Sequence, residues 1–192
     1  MGAHALHEAF RVVAREDFLR PADRSRAGFD GPIAIGRRQT NSQPRTVFAM
    51  LELLDVRPGQ RILDVGSGSG WTTALLAHLV TPTGTVIGTE LEPDLVAFGS
   101  ANLATYDVPW ASIRQAAPGT LGAPDDAPFE RILVSAEART LPEPLVDQLG
   151  VGGTMVLPVG AHMTRVERYG PGRDAVNVTT HGLYSFVPLR WE

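Results

Sequence analysis

"QRILDVGSGSGWTTALLAHLV", Gln60 to Val80, is the stretch whose reading decides the fold. Arg61 to Val65 is a short apolar run of the kind that forms a buried strand, and a glycine-rich turn follows it. Beyond the turn, Trp71, Leu75, Leu76 and Leu79 fall on overlapping faces of a helix. Strand, turn and helix in this order open a βαβ unit. Gly66, Gly68 and Gly70 let the backbone bend tightly around a ligand, using space that a Cβ would fill.

The pattern continues outward. "GTVIGTE" reads as a second strand ending at Glu90, followed by a helix in "EPDLVAFGSANLATY". An acid at the end of the strand after a glycine turn is placed to accept the two hydroxyls of a ribose, so the constellation points to a nucleoside-containing ligand. The plainer reading is a tight strand-to-helix turn with an ordinary surface Glu. The turn lacks the Gly-Lys-Ser/Thr ending of a phosphate-binding loop, while spacing alone leaves a nicotinamide dinucleotide open. Asp64, near the end of the first strand, either orients the glycine loop by hydrogen bonding or contacts the ligand. Trp71 reads as packing.

A short strand near Ala111 to Ile113 and a stronger one in "FERILVSAE" come next, then a helix in "LPEPLVDQL" and a strand in "GGTMVLPVG". Strands alternating with helices imply an α/β fold with a mostly parallel sheet covered on both faces. After Gly160, "MTRVERYG" and "AVNVTTHGLYSFVPLRW" flank the turn "GPGRD" without a helix between them, which predicts an antiparallel C-terminal edge. Upstream, "PRTVFAMLELLDV" places Val47, Met50, Leu51 and Leu54 at helical spacing behind a first-turn Pro, with Ser42 or Asn41 as the expected cap. Residues 1–45 read as an N-terminal extension or lid, with a helix near His7 to Arg15 and a Gly- and Pro-interrupted polar segment. Residues 46–192 form the core, and the two together make one domain.

Composition narrows the function. Among 192 residues, 43% are hydrophobic and 20% charged, which fits one domain with a substantial core. A formal charge of −4 provides no global positive field for nucleic acid or an acidic membrane. With no cysteine, thiolate chemistry and disulfides are absent, which favours a reducing compartment. No apolar run is long enough to cross a bilayer, so a cytoplasmic protein is expected; a monomer is one expectation, since the sequence leaves the oligomeric state open. The five histidines show no metal-ligand spacing. Glu137 and Arg139 are expected to form a loop salt bridge beside the cleft.

Several segments together carry a resemblance. "REDFLRP", "FDGPIAIG", "QTNSQP", "LDVGSGSGW", "APFERILVSAEA", "GGTMVLPVG" and "YSFVPL" resemble, in their usual order, those of the protein-L-isoaspartate O-methyltransferases, over roughly residues 14–189. The resemblance implies a Rossmann-like S-adenosylmethionine-dependent methyltransferase fold and methylation of an isoaspartyl carboxylate in a damaged protein or peptide, a protein-repair reaction. It places Asp64, Gly66, Ser67, Gly68, Ser69, Glu90 and Leu91 at the cofactor S-adenosyl-L-methionine. Thr40 and Ser42 then face the reaction centre, and Asp30, Ile35, Arg38, Phe186 and Val187 face the peptide. Because an isoaspartyl carboxylate is ionised near neutral pH, it needs no strong base, so Ser42 and Thr40 are orienting groups rather than covalent nucleophiles.

The sequence departs from that family's pattern in three places. Gly28 stands where Tyr is usual, and Arg38 where Gly is usual. In "AAPGTLGAPDDAPF", Ala117 and Pro118 replace the start of a usual Gly-Asp-Gly, removing the carboxylate that holds the adenine amino group, with Asp125 or Asp126 as possible substitutes. These departures motivate two alternatives: methylation of another peptide or small carboxylate, and a noncatalytic binding protein that retains the fold.

Overall fold

The computed structural model describes residues 2–191. The chain opens with α1 (Ala3–Val12), two short 3-10 turns (Arg15–Phe18 and Pro21–Arg26) and a hairpin of β1 (Ile33–Gly36) and β2 (Gln39–Asn41). Then α2 (Pro44–Leu54), β3 (Arg61–Val65), α3 (Trp71–Val80), β4 (Thr85–Glu90), α4 (Pro93–Leu103) and β5 (Ala111–Gln115) follow. The chain continues through β6 (Phe129–Val134), α5 (Glu143–Gln148), β7 (Leu149–Val159), β8 (His162–Arg168) and β9 (Val176–Leu183).

Seven strands form one sheet in the order β5-β4-β3-β6-β7-β8-β9. The first five are mutually parallel, and β8 and β9 close the edge antiparallel, as the missing helix after Gly160 requires. Alternate strand residues serve two separate apolar clusters: Ile62, Val86, Leu133 and Val156 belong to one, and Leu63, Ile87, Ile132 and Met155 to the other. The first cluster is completed by α1, α2 and α3 through Leu6, Val47, Met50, Leu51, Leu54 and Leu75. On the opposite face, Leu145 and Val146 of α5 pack with Leu121 and Ala123.

The chain leaves β3 toward β4 and β5, then crosses back to place β6 on the other side of β3. Loops at the carboxyl ends of β3 and β6 therefore diverge, and the crevice between them is where an open α/β sheet binds ligands.

The N-terminal region corrects several expectations. Instead of running from His7 to Arg15, the first helix begins at Ala3 and ends at Val12. Residues 33–41 form a hairpin in which Ile33 and Ile35 are buried, while the turn residues Arg37 and Arg38 both adopt positive φ, 53° and 59°. That turn carries none of the Asn-Gly chemistry that advertises a tight hairpin. A glycine at position 38 would suit this backbone, because it adopts positive φ without a Cβ clash.

Neither Ser42 nor Asn41 caps α2. Its N-cap is Gln43, without a side-chain cap bond. The carboxylate of Asp30 approaches from outside the helix instead, with Oδ1 accepting the Arg45 N–H at 3.2 Å and Oδ2 accepting Gln43 Nε2 at 3.1 Å.

Candidate active site

A cleft of about 770 Å³ opens at the carboxyl ends of β3, β4 and β6. One wall is the glycine turn, Gly66 to Ser69, and beside it stand Glu90 and Leu91. Thr40 and Ser42 from the hairpin's end and Phe186 to Pro188 from the C-terminal segment complete the enclosure. Residues far apart in the chain thus meet because strand ends and two chain arms converge on one crevice.

The glycine turn is built for close approach. Gly66 and Gly68 have φ of 77° and 53°, a region open to glycine at little cost. A Cβ on Gly68 would come within 3.2 Å of Ile35 Cδ1, so β1 lies directly against the turn. Gly70 serves a different purpose: its Cβ would sit 2.8 Å from the Gly99 carbonyl of α4, so this third glycine permits helix packing and does not line the cleft.

Glu90 is buried and accepts three backbone N–H groups: Gly68 at 3.0 Å on Oε2, and Leu91 at 2.7 Å and Glu92 at 3.0 Å on Oε1. Its carboxylate is therefore held in place before any ligand arrives, with lone pairs left for hydroxyl donors. Ser67 is also buried in the cleft wall, and among the described residues its Oγ has no hydrogen-bond partner. A buried hydroxyl without a partner at a concave wall fits a polar ligand group. Glycines without Cβ obstruction, a fixed carboxylate and this hydroxyl together suit a nucleoside-bearing cofactor.

Asp64 does not line the cleft. It is fully buried beneath the turn, where Oδ2 accepts the hydroxyls of Thr72 and Thr73, each at 2.7 Å, fastening the start of α3 to β3. Burial pushes its carboxyl up to about 6, opposed by the two threonine bonds and assisted by the charge of Glu90. The ligand-contact reading of Asp64 gives way to the structural one.

Three of the expected peptide-facing residues also lie outside the wall. Asp30 caps α2, Ile35 is buried against Gly68, and Arg38 sits exposed at the hairpin tip. By contrast, Thr40, Ser42, Phe186 and Val187 do line the cleft. Among the described residues the side chains of Thr40 and Ser42 make no hydrogen bond, which leaves both hydroxyls available. Trp71 packs as expected: its Nε1–H donates to the Val13 carbonyl at 3.2 Å, and its ring meets Phe10 edge-on.

At the end of the cleft beyond Glu90, Ala116, Thr120, Leu121 and Gly122 form the wall, whereas Ala117 and Pro118 are exposed and outside it. Asp126 pairs with Arg61 and Arg114, and neither Asp125 nor Asp126 reaches the cleft, so neither replaces the carboxylate missing at position 118. Glu137 and Arg139 form no salt bridge among the described residues. Instead, the Glu137 backbone bridges the C-terminal segment, donating to the Val187 carbonyl and accepting from Leu189, both at 2.8 Å.

Arg15 is the residue that sequence reasoning missed. It is 6% exposed and donates six hydrogen bonds. Nε bonds the Asn41 side chain at 2.7 Å, and Nη1 and Nη2 reach the carbonyls of Ala27, Phe29, Gly31, Asn41 and Ser42. Burial lowers its guanidinium to about 10, countered in part by Asp30, so it stays charged near neutral pH. Asn41 passes the order inward, donating through Nδ2 to Ser69 Oγ at 3.1 Å. Only the position of Arg15 within "REDFLRP" hinted at this role.

The fold and the site together are those of a Rossmann-like S-adenosylmethionine-dependent methyltransferase. A family model described as protein-L-isoaspartate(D-aspartate) O-methyltransferase matches residues 2–191. The chain belongs to that family. It is 44% identical over 186 residues to the protein-L-isoaspartate O-methyltransferase of Methanopyrus kandleri, covering 95% of this chain and 81% of that one. The Aeropyrum pernix protein of the same name is 42% identical, with 95% and 71% covered. In structure, the chain superposes with a TM-score of 0.87 on a Plasmodium falciparum protein described as a putative protein-L-isoaspartate O-methyltransferase in complex with S-adenosyl-L-homocysteine. That pair shares 24% identity and covers 100% of this chain and 93% of the other, which establishes the common fold.

Proposed function

We propose that this chain transfers the methyl group of S-adenosyl-L-methionine to the free carboxylate of an isoaspartyl residue in a damaged protein or peptide. One observation carries the reading: the glycine turn, the fixed Glu90 carboxylate, the free Ser42 hydroxyl and the Phe186–Pro188 segment share one cleft. When bound, the cofactor supplies a methyl group already activated by an adjacent positive sulfur.

The chain's own residues then have limited work. Gly66, Ser67, Gly68 and Ser69 hold the methionine and ribose end, and Glu90 takes the ribose hydroxyls with a carboxylate positioned by three N–H groups. Thr120 and Leu121 supply the wall at the base end, in place of the carboxylate absent at Pro118. Ser42 and Thr40 would orient the incoming carboxylate toward the methyl group that the bound cofactor would supply for transfer. No proton has to move in this step, so no general base is required. Holding both partners in line is worth several kcal/mol of barrier, at roughly 7–11 kcal/mol for ideal alignment. Phe186 and Val187 shield the reacting groups from water. We take the chain to act as a monomer in the cytoplasm, which its cysteine-free composition fits.

Labelled methyl transfer to paired isoaspartyl and aspartyl peptides tests this. Selective labelling of the isoaspartyl member is expected. Equal labelling of both would indicate another carboxylate substrate, and cofactor binding without transfer to any peptide would indicate a noncatalytic binding protein.

A further inference from the structure

Among the described residues of the cleft wall, the ionisable groups with full charges are Glu90, Arg190 and Arg45. Glu90 is engaged by three N–H groups, and Arg190 donates a hydrogen bond to Glu92 at 2.8 Å. Arg45 is held more loosely. Its guanidinium lies 3.3 Å from Asp30 Oδ2 without a hydrogen bond, and its side chain is 80% exposed.

The helix gives no reason for an arginine there. Arg45 stands in the first turn of α2, where the backbone dipole disfavours a positive charge and where the helix carries no acid of its own. Asp30 compensates from outside: Oδ1 caps the Arg45 N–H while Oδ2 faces the guanidinium. That same N–H bond is the main cause holding the Asp30 carboxyl below its usual range, with the Gln43 side chain and the Arg45 charge adding to it.

We infer that Arg45 is a specificity residue that reads an acidic side chain flanking the isoaspartyl residue of the peptide, an inference that rests on the methyl-transfer reading above. The reacting carboxylate is not its partner, because an oxygen tied to a guanidinium is a poorer nucleophile, and the free hydroxyls of Ser42 and Thr40 already serve to orient it. Arg45 lies at the open rim, three positions beyond Ser42, where the neighbouring residues of an extended peptide pass. A flanking carboxylate there replaces Asp30 as the counter-charge, whereas the other arginine of the wall, Arg190, is already engaged by Glu92.

Steady-state transfer with isoaspartyl peptides carrying Glu or Gln beside the damaged residue tests the inference. For the wild type, KM for the Glu peptide is expected to be about two- to fivefold lower than for the Gln peptide, the range of an exposed charge pair, and the gap should shrink with added salt. Arg45→Gln should remove the gap with kcat and cofactor affinity little changed, and Arg45→Lys should restore part of it. Asp30→Asn keeps the acceptor for the Arg45 N–H but removes the competing charge, so it should widen the gap. A merely structural role predicts that Arg45→Gln and Asp30→Asn impair both peptides alike. That result, a wild type without flank preference, or a preference that survives Arg45→Gln would overturn the inference. Absence of transfer by the wild type to any isoaspartyl peptide would instead sink the methyl-transfer reading, and the inference with it.

Discussion

Replacing Arg15 by Met keeps most of the side chain's length and apolar stem while removing all five N–H donors and the six hydrogen bonds they make. Five backbone carbonyls and the Asn41 amide oxygen then each lose a hydrogen bond, although the Phe29 carbonyl keeps the Gly31 N–H at 2.9 Å. Taken singly, hydrogen bonds from a charged donor are worth about 1.5–3 kcal/mol, but the bonds share one group and do not add. Some carbonyls will also turn toward solvent, since Phe29 and Gly28 are exposed. A net loss of about 3–5 kcal/mol is expected, comparable to breaking a buried charge network. For a chain of this size that corresponds to a fall in Tm of roughly 6–20 °C.

The damage should be localised, because Arg15 ties segment 27–42 to the 3-10 turn that follows α1 and, through Asn41 and Ser69, to the glycine turn. Amide hydrogen exchange should therefore quicken over residues 27–42 and at Ser69 more than in β3 or β6. Cofactor affinity should weaken with it. Urea unfolding within about 1 kcal/mol of wild type, with unchanged exchange across 27–42, would refute the argument that this guanidinium assembles the lid.

Asp64 sets a pH signature. Its carboxyl is raised in the folded protein relative to an ordinary aspartate, so the unfolded chain releases its proton first as pH rises. Its contribution to stability therefore declines between about pH 4 and 6, by about 3 kcal/mol, and is level above that. Asp64→Asn should flatten this part of the pH–stability profile; a variant whose profile parallels wild type would show that the buried carboxyl is not the cause. Glu90→Ala should lower cofactor affinity by about 1.5–3 kcal/mol, roughly 10- to 150-fold. Calorimetric titration showing unchanged affinity would remove Glu90 from the ribose. Ser42→Ala should reduce kcat about 5- to 30-fold, from the loss of about 1–2 kcal/mol of orientation. Its melting temperature should hold, because Ser42 does not cap α2; equal turnover would leave the hydroxyl without a role in transfer.

The sequence by itself determined the parts of this protein whose physics is local. Apolar runs of strand length, the glycine turn and the helical spacing of Trp71, Leu75 and Leu76 define the βαβ opening, since backbone preference and side-chain period act over a few residues. The place of Glu90 after the second strand followed from the same order, as did the antiparallel edge after Gly160. Family segments added Ser42 and Phe186, and the structure sets both in the cleft.

What only the tertiary structure decided involves partners distant in the chain. Arg15 reads as one more surface charge until its donors meet carbonyls 12 to 27 positions later, and a carbonyl is the same on every residue, so no side-chain pattern announces it. Asp30 looks like a substrate ligand but caps a helix that begins 14 residues downstream. Asp64 and Glu90 both lie at or next to the end of a strand, yet one side chain sits beneath the glycine turn, bound by Thr72 and Thr73 of α3, while the other faces the cleft at the end of β4. Burial and long-range hydrogen bonding, which exist only once the chain has closed on itself, separate scaffold from site.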